Sequence, residues 1–100
     1  MITRIVKMTV ADSKRDEFIR YVDEIRDKIQ SFKGCLHLDI FNDKQNSNIF
    51  FSYSIWKSEK ELENYRRSEL FRLYWSTLKT FFTKDTQAWT VENVFNDQPE

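Results

Sequence analysis

Apolar positions along this 100-residue chain fall into two periodicities. Residues 2–10, 35–41, 49–56 and 86–95 are short runs rich in β-branched and aromatic side chains, in part with the two-residue alternation of a strand. Between the first two runs, Phe18, Val22, Ile25, Ile29 and Phe32 recur at spacings of four and three, which puts them on one stripe of a helix. The opposite face is charged, with Asp16 and Glu24 each four residues before Arg20 and Lys28. Ser13 through Asp16 approximates a capping box and predicts the helix start; Gly34, the only glycine, predicts its end near Lys33 by taking a left-handed conformation.

A second helical stretch begins at Ser58, where Ser58-Glu59-Lys60-Glu61 has the full capping-box pattern. Ser68-Glu69 restarts it after a break near Arg67, and Leu70, Phe71, Tyr74, Leu78, Phe81 and Phe82 then form a broad apolar face. Residues 42–48 are Asn- and Asp-rich, which favours a turn and makes the middle two strands a hairpin. The predicted order is β-α-β-β-α-β, an α+β, ferredoxin-like arrangement with a four-stranded antiparallel sheet. Residues 1–95 read as one domain and residues 96–100 as a polar tail.

Alternation predicts that Leu36, Leu38 and Ile40 share one face of their strand while Cys35, His37, Asp39 and Phe41 share the other. In the next strand Ile49, Phe51, Tyr53 and Ile55 oppose Phe50, Ser52, Ser54 and Trp56. Both faces of the sheet are thus apolar, yet one helical layer covers only one. A second copy of the chain is the economical cover, so a homodimer is expected.

Charge and composition narrow the partners. Sixteen Lys and Arg balance sixteen Asp and Glu, interleaved along the helices, so no basic stripe is offered to nucleic acid. No apolar run is long enough to span a membrane, and the single Cys35 has no disulfide partner within the chain, so a cytoplasmic location is expected. One glycine cannot build a Gly-rich phosphate loop, and one His, one Cys and scattered carboxylates show no metal-ligand spacing. No cofactor and no metal are expected.

The chemistry-bearing candidates are few. His37 is the one side chain with an ordinary base's pKa near neutrality, and Asp39, on the same strand face, is placed to orient it. The competing role for a strand histidine is packing. Trp56, Tyr65, Tyr74 and Trp75 are candidates to line a pocket between helices and sheet and stack on a flat substrate, against the alternative that they are ordinary core. Arg66 and Arg67 would suit an anion, although Glu63 to Arg67 is an ordinary exposed helix pair and a solvated face is the alternative for both.

The segment Trp56-Lys57-Ser58, with Leu62, Tyr65, Ser68 and Phe71, resembles the antibiotic biosynthesis monooxygenase family: a strand-ending Trp, a capped helix, and Ser-x-x-Phe before a further helical stretch. The resemblance implies a dimeric α+β barrel in which two sheets pack face to face. It also implies a cleft in each subunit and oxygenation of small quinol-like or polyketide-like aromatics without metal or flavin, the substrate anion itself reacting with dioxygen. Trp56 matches the family's cleft Trp. On this basis His37, Trp56 and Tyr65 are the candidate catalytic residues, and Trp56, Tyr65, Tyr74 and Trp75 the candidate substrate-binding ones. Many relatives have a His where this chain has Tyr65, and another where it has Leu70, so a non-catalytic ligand-binding or structural dimer is the alternative. The heme-degrading branch is similar around Trp56-Lys57-Ser58, but its axial His falls on Trp75 and its first-strand Asn on Val6, which argues against heme degradation of that type.

Overall fold

The computed structural model describes residues 1–95; the tail assigned to residues 96–100 lies outside them. The elements run β1 (Ile2–Thr9), α1 (Arg15–Gln30), β2 (Cys35–Asn42), β3 (Ile49–Trp56), α2 (Glu59–Arg66), α3 (Glu69–Leu78) and β4 (Gln87–Val91). The sheet is antiparallel with order β2-β3-β1-β4, the α+β, ferredoxin-like fold expected from the element order. Its helix-facing side carries the core: Met8 and Val10 from β1 and the bridge after it, and Phe50 and Trp56 from β3. Against them pack Phe18 and Ile25 of α1, Leu62 and Tyr65 of α2, and Tyr74 and Leu78 of α3.

The local signals act largely as physical chemistry predicts. Ser58 Oγ accepts from the Glu61 amide at 3.3 Å and Ser68 Oγ from the Phe71 amide at 3.1 Å, so each serine satisfies an otherwise orphaned donor and the helical run divides at Arg67. In the hairpin loop the Asp43 carboxylate accepts from the amides of Gln45 and Asn46, at 3.2 and 2.8 Å, the Asx geometry that residues 42–48 suggest.

Several boundaries differ. No side-chain cap forms at Ser13: a 3₁₀ turn over Asp12–Lys14 leads into α1, whose N-cap is Lys14. The helix stops at Gln30 rather than near Lys33, and Gly34, at φ 91°, turns the chain into β2 instead of closing the helix. Asp23–Arg26 pairs at 2.9 Å, whereas neither expected four-residue pair on α1 is among the ion pairs of the described residues. The last strand is shorter than residues 86–95: pairing ends at Val91, and Val94 and Phe95 are exposed.

The largest correction concerns β2. A bulge between Cys35 and His37 inserts one residue and reverses the alternation there. Cys35 consequently packs against the core, half-buried, while Leu36, expected on the same face as Leu38 and Ile40, is exposed. Leu38 and Ile40 keep their predicted side.

Candidate functional site

Between the sheet and the three helices lies a cavity of about 310 Å³, at the small end of the range for ligand sites, which suits a small aromatic molecule. Val6, Met8, Leu38 and Ile40 form its sheet-side floor, and Val22, Ile25 and Ile29 of α1 one wall. The sequence candidates Trp56, Tyr65, Tyr74 and Trp75 all border it. They converge because β3 ends at Trp56 directly below α2, and because the Ser68 break lets α3 fold its Tyr74 face back toward Tyr65 of α2.

The aromatic wall is continuous. Trp56 and Tyr65 have ring centroids 4.7 Å apart at 31°, and Phe71 and Trp75 are stacked at 5.7 Å and 11°. Phe32 meets Tyr65 edge-on at 5.4 Å. Trp56 is fully buried and its indole N–H donates to Ser54 Oγ at 2.9 Å, so it backs the cavity wall and has no free donor to offer.

Tyr65 and Tyr74 join hydroxyl to hydroxyl. Burial raises both phenols well above the ordinary tyrosine value; the hydrogen bond from Tyr74 offsets part of this at Tyr65, whereas the Tyr65 charge raises Tyr74 further, and both are neutral at physiological pH. Two hydroxyls sharing one hydrogen bond leave one O–H proton for another acceptor at the cavity wall.

The remaining polar lining is Ser52, Ser54, Thr86 and two guanidiniums, Arg4 of β1 and Arg66 at the end of α2. Arg4 Nη1 donates to Thr90 Oγ1 at 2.9 Å and pairs with no carboxylate among the described residues. Burial first, then the neighbouring Arg66 charge, lower the Arg4 pKa, and Glu63 offsets part of this. Arg66 pairs with Glu63 at 3.6 Å, and Glu63 also accepts from Arg67 at 3.2 Å. Arg67 points to solvent, outside the cavity. Nothing in the sequence around Arg4 marked it: it stands in an imperfectly alternating strand, and its neighbours Thr90 and Arg66 are remote in the chain.

His37 lies elsewhere. With Leu38 and Ile40 facing the cavity, His37 and Asp39 face the opposite side of the sheet, Nε2 to Oδ2 2.6 Å, with the imidazole ring edge-on to Tyr53 at 6.3 Å. The expectation that His37 lines the cleft is corrected by the pleat itself. Among the described residues lining the cavity there is no carboxylate and no imidazole. Among the described residues no cluster of His, Cys, Asp and Glu could hold a metal, and no helix is long and apolar enough to cross a membrane. Val6 and Trp75, the positions matched to heme-contacting residues of the degrading branch, both border the cavity and offer it no imidazole or amide.

A four-stranded sheet roofed by three helices over an aromatic-lined cavity defines a ferredoxin-like α+β domain, and comparison with known proteins narrows it. The model of the family described as antibiotic biosynthesis monooxygenase matches residues 1–74. The chain belongs to the antibiotic biosynthesis monooxygenase family. Among solved structures it is similar to a conserved protein from Methanosarcina mazei, with 23% identity, TM-score 0.84 and 90% of each chain covered. It is also similar to an antibiotic biosynthesis monooxygenase, with 18% identity, TM-score 0.88 and coverage of 94% of this chain and 99% of that one. A protein from Pseudomonas aeruginosa gives 18% identity, TM-score 0.82 and 94% coverage of both chains. At these identities the likeness is one of fold. No curated protein matches the chain.

Proposed function

We propose that the protein is a cofactor-independent monooxygenase acting on a small quinol-like or polyketide-like aromatic held in the cavity. The observation that carries this reading is the cavity itself: a partly open space bordered by Trp56, Tyr65, Tyr74 and Trp75, with a spare phenolic O–H at its wall. For an anthrone-like substrate, the carbanion carbon bonds to dioxygen and the O–O bond then breaks. One oxygen stays as the new carbonyl and the other leaves as water with the two hydrogens of the original methylene. The rings hold the substrate flat, and the Tyr65–Tyr74 pair donates to the oxyanion of the electron-rich form. With no carboxylate or imidazole among the described lining residues, the substrate surrenders its proton to solvent, and the cavity selects the anion.

Oxygen uptake over a panel of quinols and anthrones tests this. The protein is expected to accelerate uptake for at least one compound, and Tyr65→Phe to lower that rate on the order of 100-fold, the scale of losing one oxyanion donor. Uptake unchanged by the protein across the panel, with the same compounds binding, would establish the second reading, a non-catalytic binding protein. The missing base in the cavity favours that alternative.

The proposal includes a homodimer formed through the open face of the sheet. Phe41, Trp89 and Val91 are exposed there, on the side that Ile5, Phe51, Tyr53 and Ile55 share, and no helix covers them. An apolar face of this kind in a soluble domain calls for a partner, and a second copy brings an identical one. Sedimentation at micromolar concentration is expected to give twice the subunit mass and Trp89→Lys to shift it toward the single subunit; a single-subunit mass for the unaltered chain would remove the dimer. The lone thiol of Cys35 suits a reducing cytoplasm.

A further inference from the structure

Arg4 and Arg66 have a use beyond the aromatic wall. Both border the cavity, Arg4 has no carboxylate partner among the described residues, and the one carboxylate near Arg66, Glu63, is shared with Arg67. Among the described residues Glu63 is thus the one carboxylate paired with either Arg66 or Arg67, Arg4 has none, and Arg4 and Arg66 both border the cavity. Partly dehydrated like charges beside one another are costly, and an anion between them relieves the cost. Arg4 feels that cost, since burial and the Arg66 charge both disfavour its cation.

The sheet register fixes where such an anion would sit. Arg4 pairs with Ser54, whose hydroxyl receives the Trp56 indole N–H, so Arg4 and Trp56 are diagonal neighbours on one face, about 7–8 Å apart at the backbone. A planar molecule with an acidic group on its ring would place that group at the guanidiniums and the ring beside the aromatic wall. Thr90 holds Arg4 from the β4 side and Glu63 holds Arg66 from the helix side.

We propose that the cavity's ligand is an aromatic carboxylate, its acid group bound between Arg4 and Arg66. Guanidinium forks match a carboxylate in two parallel hydrogen bonds, and in a partly dehydrated site each such charged contact is strong. The inference rests on the cavity reading above and names the substrate class for it.

Calorimetric titration with 2-naphthoate and its neutral isostere 2-naphthamide separates the two. The acid is expected to bind at least tenfold more tightly than the amide at low ionic strength. Arg4→Gln and Arg66→Gln should each weaken the acid roughly tenfold and leave the amide within about twofold. Arg67→Gln, outside the cavity, should change neither. Arg66 lies half-exposed on a helix, so Arg66→Gln still decides the matter should Arg4→Gln fail to fold. Equal affinity for acid and amide overturns the anion subsite while the cavity reading stands; so does an acid preference that survives Arg66→Gln. Binding of neither compound overturns both.

Discussion

Trp56→Ala is expected to destabilise the protein by about 3–5 kcal/mol, the range for removing a large aromatic from a closed core. Trp56 has no solvent exposure and sits at the end of β3, against Tyr65 at 4.7 Å and Phe32 at 6.5 Å. Removing it strips the wall from beneath α2 and takes the indole donor from Ser54, a buried hydroxyl. The rings around it cannot close the gap, because Tyr65 is tied to Tyr74 and Phe32 stands in the turn before β2. Urea denaturation at one fixed protein concentration measures the effect, since the stability of the proposed dimer would depend on concentration. A loss below about 1.5 kcal/mol would mean that the core repacks and that Trp56 does not support the cavity.

The second large effect belongs to the smallest side chain. Gly34 has φ 91°, where a Cβ is strained, and a Cβ built there would lie 2.4 Å from Cβ of Glu61. The turn cannot move freely, because the Gly34 carbonyl accepts from the Lys57 amide at 2.9 Å and fixes the start of β2 against the end of β3. Gly34→Ala is expected to cost about 2–4 kcal/mol, combining left-handed strain with overpacking. Glu61→Ala should not rescue it, since the nearest atom is the Cβ that alanine retains. Glu61→Gly removes that atom, and in its background the added cost of Gly34→Ala should fall to about 1–2 kcal/mol of backbone strain. A Gly34→Ala protein within about 0.5 kcal/mol of the parent would show that the close approach to α2 is relaxed at little cost.

That contact also explains why the capping box at Ser58 is half-formed. The Ser58 hydroxyl caps the helix as its sequence requires, but the Glu61 side chain lies against Gly34, and the Ser58 amide donates no bond to its carboxylate. Local chemistry specified the cap, and packing between remote segments claimed the glutamate. The same division runs through the site. Trp56, Tyr65, Tyr74 and Trp75 were legible as pocket candidates because a strand-ending Trp and a capped aromatic helix imply a nearby join of sheet and helix. The Tyr65–Tyr74 pair was not, because it links two helices across the Ser68 break. Arg4 was not, because its partner Thr90 is 86 residues away.

The amino-acid order alone determined the elements and their sequence, since alternation, helical spacing, serine caps and the Asn-rich turn act within a few residues of themselves. It also determined the family, through the strand-ending Trp and the residues of the following helices. Only the tertiary structure decided which side of β2 each residue faces near Cys35, because a bulge is a relation between two strands and changes parity with no mark in either. It likewise turned His37 away from the cavity and brought Arg4 and Arg66 to it. Charges placed by sheet pairing meet across distances that no local pattern spans.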